Sequence, residues 1–281
     1  VKVAAYRLED TAAGFLTRFE ATQASDKAAE KATRRAGITA IVALVCTFPS
    51  CLVGIAADQG LLFAKISFAI AVAAFAFWLW KRRYDIEDRK LQAVVRVLKV
   101  LRADVPAQGK LGVNVDFRGY RRGGTVVKKT GGFFSSVKGK RYRHDWLQIQ
   151  APLLDGSQVQ VGLSDLVSRK TKSKRKYTKV REGWTGQVHV TLRLAKRYGP
   201  AQAVVERLKS RTPPPGLLVG QVRGQGRVVG VTLAMGTKGY KIQGRRSNSD
   251  NSERGHAGAD VALATLDWVY RAIAAGAKRA A

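Results

Sequence analysis

Eight lysines and arginines fall within residues 169–181 with no acid among them: Arg169, Lys170, Lys172, Lys174, Arg175, Lys176, Lys179 and Arg181. Such a run neutralises anions. Beside an acidic bilayer each Lys or Arg contributes about 1 kcal/mol. On nucleic acid the same charges displace condensed counterions, and binding falls steeply with salt. The expected partner is an anionic surface, membrane lipids ahead of nucleic acid. The bland alternative is a solvated loop without a specific partner. The run sits in a wider basic zone, since residues 110–182 hold 18 Lys or Arg against five Asp or Glu. The whole chain of 281 residues carries 50 against 20, a net charge of +30. A field of that sign attracts phosphates, acidic headgroups and acidic proteins without choosing among them.

Other residues give weaker chemical signals. Residues 118–124, Arg-Gly-Tyr-Arg-Arg-Gly-Gly, resemble an Arg-Gly-rich RNA contact with an aromatic able to stack on a base; the plainer reading is a basic loop between strands. Residues 138–144 have the same character. His144, His189 and His256 have no second His or Cys at metal-ligand spacing. His144-Asp145 is half of a triad with no nucleophile elbow to complete it. Gly224 and Gly226 read as hairpin punctuation, because no helix follows and no phosphate loop is present. No catalytic residue, cofactor or metal is expected.

The elements that hold these residues divide the chain. Residues 37–57 contain no charge, and residues 60–80 contain only Lys65. A hydrocarbon core of ~30 Å needs about 20 helical residues, so both runs predict transmembrane helices, at 37–57 and 61–80, joined by an external turn at 58–60. Arg34 and Arg35 precede the first run and Lys81, Arg82 and Arg83 follow the second, which places both termini in the cytoplasm. Trp78 and Trp80 complete the interface anchors. Lys65 is expected to snorkel, or to contact a pore or headgroup. Pro49 predicts a kink. Cys46 and Cys51 lie inside the first run and do not form a disulfide framework.

Helical spacing extends on either side. Leu8, Ala12, Phe15, Phe19 and Thr22 predict an amphipathic stalk helix over 1–36. Leu91, Val94, Leu98, Leu101 and Val105 predict a second over 81–106, ended by Pro106. The two seams are expected to pack as an antiparallel stalk or in an oligomer. From residue 107 to 281 the period changes to two. Strands are predicted at 111–117, 146–154, 158–163, 186–194, 217–222, 228–233 and 240–243, with helices at 200–210 and 257–277 and a polar loop at 245–256. Asp155-Gly156 is the clearest hairpin signal.

The expected fold is therefore a membrane α-helical hairpin on a helical stalk, followed by a basic α+β cytoplasmic domain with a mainly antiparallel sheet. The expected location is a bacterial inner membrane. The expected function is a membrane-anchored scaffold or adaptor whose basic domain binds an anionic surface or a protein partner at the inner leaflet. The alternative is a subunit of a homo-oligomeric two-helix channel.

Overall fold

The computed structural model describes residues 5–54, 58–82, 87–131, 136–173, 178–235 and 256–277, apart from the side chains of 47–64, 67 and 80–82. Two compact units emerge: one built on Arg18–Ile86, the other on Val3–Thr17 with Glu87–Ala281.

The second unit is organised by one antiparallel sheet of eight strands. These are β1 (Ala5–Thr11), β2 (Lys110–Asp116), β3 (Thr125–Thr130), β4 (Val137–Pro152), β5 (Gln158–Ser173), β6 (Thr178–Arg193), β7 (Leu217–Gln225) and β8 (Val228–Met235). Their order is β1-β2-β4-β5-β6-β8-β7, with β3 added to β4. One row shows why the alternation works. Val113, Ile149, Val161, Val190 and Val231 are register partners across five strands, and all are buried. The neighbours Gly112, Gln150, Gln160, Thr191 and Gly230 form the adjacent row, whose polar side chains point to the other face. Gly156, with φ of 81°, supplies the turn between β4 and β5.

Helices α3 (Asp88–Asp104), α5 (Ala201–Ser210) and α6 (Ala259–Ala277) cover the apolar side, and the short α4 (Tyr120–Gly123) lies between β2 and β3 in the chain. Leu91, Val94, Leu98 and Leu101 of α3 are almost fully buried. The seam expected to face another stalk helix therefore serves the core of the sheet unit, where α3 packs on α6. The N-terminal segment also departs from expectation. Tyr6 and Leu8 lie in β1, paired with Val115 and Val113, and not in a helix. The helix α1 (Ala12–Gly54) begins only after Thr11, whose hydroxyl accepts the Gly14 amide at 3.2 Å.

The first unit contains the length of α1 from Arg18, together with α2 (Asp58–Arg82). Among the described residues no helix is long and apolar enough to cross a membrane. This corrects the fold class, the spanning hairpin and the inner-membrane location read from the sequence. What the structure supports is a mixed α+β fold with an eight-stranded antiparallel sheet. Freedom from charge, the criterion applied to the two runs, is necessary for a span and not sufficient. The side chains of 47–64, Pro49 and Cys51 among them, lie outside the described residues. The expected external turn at 58–60 belongs instead to the start of α2. A channel built from spanning helices loses its basis with them.

Candidate anion-binding surface

Strands β4, β5 and β6 are each 16 residues long, roughly 50 Å at strand rise. Their flanking strands do not follow them to the end. β2 pairs only with Leu147–Gln150 of β4, and β8 only with Gln187–Arg193 of β6. The remaining halves, joined at one edge by β3, form a four-stranded blade in the order β3-β4-β5-β6. The basic run expected as a loop is thus the outer half of two strands. Arg169, Lys170 and Lys172 lie on β5, and Lys179 and Arg181 on β6. Lys174, Arg175 and Lys176 lie outside the described residues.

The period of two sorts the charges onto faces. Tyr142 and Val167 are buried with Tyr120, and Trp184 packs against them. Lys140, Arg169 and Glu182 share that side. Arg141, Arg143, Lys170, Lys172, Lys179 and Arg181 alternate to the opposite side, and all six are exposed. Lys128 of β3 is the register partner of Arg141 and extends the same face. Across the strands like charges meet directly: Lys170 opposite Arg181, Lys172 opposite Lys179, Lys128 opposite Arg141. Directly opposed like charges destabilise a sheet. Among the described residues none of the six cations in these three pairs has a carboxylate partner; on the same face Arg143 has one, Asp145 at 2.9 Å.

The side facing α3 is neutralised from within. Glu182 accepts hydrogen bonds from Tyr120 Oη at 2.5 Å and Arg121 Nη2 at 2.7 Å, with Arg169 Nε at 3.5 Å. Burial disfavours its charge, but the bonds from Tyr120 and Arg121 outweigh that and hold its pKa below the ordinary carboxylate range. Arg118 grips Asp116 through Nη2 at 2.8 Å. In the Arg-Gly segment that resembles an RNA contact, Arg118 and Arg121 are therefore paired with Asp116 and Glu182. Its Tyr120 is buried and offers no stacking platform.

Deeper still lies a polar cluster. Lys90, 1% exposed, donates to the Arg118 carbonyl at 2.6 Å, pairs with Glu87 at 3.0 Å and lies 3.4 Å from His144 Nδ1. Burial pulls its pKa down and Glu87 partly restores it. His144 Nε2 faces Asp116 at 3.6 Å. Asp165 accepts the Ala257 amide at 3.0 Å and faces Arg89 at 3.3 Å and His256 at 3.5 Å. Burial opposes its ionisation, yet His256 and Arg89 keep its pKa low. His256 packs on Trp184 with ring centroids 4.1 Å apart. On the open face His189 lies between Ser164 at 3.2 Å and Thr232 at 3.1 Å, and Ser164 is almost fully buried. These contacts brace the base of the blade. Among the described residues no group of three or more His, Cys, Asp or Glu is placed to hold a metal ion.

The remaining residues singled out in the sequence lie in the first unit. Arg34 and Arg35 are exposed on α1, and Lys65 is exposed on α2. Trp78 is half-buried, stacked on Phe75 at 5.6 Å. The side chains of Trp80, Lys81 and Arg82, and all of Arg83, lie outside the described residues. The cluster around Glu182 and Lys90 escaped the sequence reading, although Lys90 stands beside Leu91 on the apolar face of α3, an unusual place for a lysine. Comparison with protein-family models, curated proteins and solved structures finds no match for this chain.

Proposed function

We propose that this protein is a scaffold or adaptor whose basic blade docks on an anionic surface, and that the surface is a bilayer carrying acidic headgroups. The observation that carries the reading is the opposed pairing of Lys170 with Arg181 and Lys172 with Lys179, exposed and without a carboxylate partner among the described residues. A sheet that accepts this repulsion gains where an external anion relieves it. The cations are spread in two dimensions, about 4.8 Å apart across strands and roughly 6.7 Å along each face. A planar array of headgroups meets such a grid more fully than a single phosphate chain does. Nucleic acid is the weaker fit, since the one aromatic of the Arg-Gly segment is buried. At about 1 kcal/mol per cation near the surface, the seven on this face supply several kcal/mol.

Flotation of the full chain with vesicles tests the reading. Vesicles with acidic lipid are expected to carry the protein at 0.1 M salt and to release most of it near 1 M, where the Debye length shrinks to about 3 Å. The triple variant Lys170→Glu, Lys172→Glu, Arg181→Glu is expected to lose the preference for acidic over neutral vesicles. Equal binding of the wild-type chain to neutral and acidic vesicles would remove the proposal, as would tight co-purification of nucleic acid that acidic vesicles cannot displace.

A further inference from the structure

The exposed face of the blade carries a shallow cup, and we propose that the cup seats a phosphomonoester, the terminal phosphate of a lipid headgroup. The inference rests on the lipid-docking reading and narrows it to one class of headgroup. The floor is made of small residues. Ser168 of β5 is half-buried, with Gly183 of β6 as its register partner on one side and Arg141 of β4 on the other. In the next row Gly139 of β4, Lys170 of β5 and Arg181 of β6 stand in line. The period of two puts all six on the same side of the sheet. No side chain rises from Gly139 or Gly183, and a Cβ added at Gly183 meets nothing within 4 Å. Cations from three strands surround this hollow. Measured along the backbone from Ser168, Arg141 is about 4.8 Å away across the sheet and Lys170 about 6.7 Å along the strand. Arg181 lies on the diagonal at about 8 Å, still within reach of a long side chain.

Three cationic heads can thus meet above one hydroxyl. Arg143, the next residue of β4 on this face, is held by Asp145, whereas Arg141, Lys170 and Arg181 have no carboxylate partner among the described residues. Lys128 of β3 backs Arg141 from the far side. One anion at the centre relieves the mutual repulsion of these cations only if it brings more than a single charge. A phosphodiester, the form found in most phospholipids and along nucleic acid, brings one. A phosphomonoester carries about 1.5–2 charges at neutral pH and presents three strong acceptor oxygens. The guanidinium forks of Arg141 and Arg181 match pairs of those oxygens, Lys170 adds a compact point charge, and Ser168 Oγ adds a hydroxyl donor. The missing side chains at Gly139 and Gly183 leave the room that such a group occupies.

The test is binding of the full chain to phosphatidylcholine vesicles that carry either phosphatidic acid, a monoester, or phosphatidylglycerol, a diester, at matched total charge. Phosphatidic acid is expected to hold the protein about tenfold more tightly. Gly183→Val fills the cup without touching a cation. It is expected to bring binding to phosphatidic acid down to the level of phosphatidylglycerol and to leave the latter unchanged. Ser168→Ala is expected to reduce the preference by a smaller factor. Glycerol phosphate in solution is expected to displace the protein from phosphatidic acid vesicles and not from phosphatidylglycerol vesicles. Equal binding of the wild-type chain to the two charge-matched vesicles overturns the cup and leaves docking on acidic lipid standing. Binding to neither overturns the docking reading, and the cup with it. A preference that survives in a Gly183→Val variant with an unchanged thermal transition overturns the cup alone. Tight binding of glycerol phosphate with no preference between the vesicles assigns the cup to a soluble phosphomonoester and overturns the lipid assignment.

Discussion

Lys170 of β5 stands directly opposite Arg181 of β6, both exposed, with no carboxylate partner among the described residues. The pair sets stability against binding. Lys170→Glu turns a repulsive cross-strand pair into an attractive one, and is expected to raise stability by up to about 1 kcal/mol. The same change removes a cation from the docking face and adds an anion. Thermal melting and vesicle binding measured on one preparation are expected to move in opposite directions. A variant that melts lower and binds no worse would contradict this account of the blade.

Tyr120 and Glu182 form the shortest side-chain hydrogen bond at the base of the blade, at 2.5 Å. Bonds to a charged group contribute about 1.5–3 kcal/mol. Glu182 retains Arg121 when the phenol is lost, so Tyr120→Phe is expected to cost about 2 kcal/mol in a urea titration. The Tyr120 ring packs at 4.9 Å from Trp184, and the near-ultraviolet signal of that tryptophan is expected to persist.

Acid is expected to unfold the sheet unit. Glu87, Asp116, Asp165 and Glu182 all ionise more readily when folded, because neighbouring cations and donors outweigh the effect of burial. Unfolded carboxylates titrate near pH ~4. A folded pKa below that value gives stability that is complete above about pH 5 and is lost as pH falls through the folded values. Unfolding free energy measured at pH 6, 4 and 3 is expected to decline across the last two points. Glu182→Gln is expected to shallow that decline.

Lys90 is the buried cation of the cluster. Lys90→Met leaves the buried Arg118 carbonyl without its donor, while Glu87 keeps Arg89 at 2.7 Å, and is expected to cost about 1–3 kcal/mol, as chemical denaturation will show.

Gly186 has a different role. Any side chain there runs into the Ala257 amide, which is held by Asp165. Gly186→Ala is expected to lower the melting temperature by several degrees and to weaken the stacking of His256 on Trp184, readable as a shift in tryptophan fluorescence.

The core half of the sheet was legible because its residues alternate. Val113, Ile149, Val161 and Val190 each follow a polar or glycine neighbour, and the strands around them lie where that alternation places them. The blade was not legible, because Lys170, Thr171 and Lys172 are polar on both faces and give no period to read. Pairing with β4 and β6, not burial, makes them a strand. At the N-terminus Leu8 fitted a helical spacing with Ala12, while its partner Val113 drew it into β1. The apolar runs misled in another way. Counting uncharged residues measured hydrophobicity along the chain, but among the described residues no helix meets the length and apolarity a bilayer demands. Of the cations on the candidate surface, Lys170, Lys172, Lys179 and Arg181 belong to the run named from sequence, whereas Lys128, Arg141 and Arg143 join them only through strand pairing and Arg169 falls on the other side. Their sorting onto one face required the register.

The most direct measurement is the affinity of the full chain for vesicles containing acidic lipid, compared with that of Lys170→Ala, Lys172→Ala, Arg181→Ala. At about 1 kcal/mol for each cation removed, the account predicts weakening on the order of 100-fold, with a shallower dependence on salt. An unchanged affinity and an unchanged salt slope in the triple variant would contradict it.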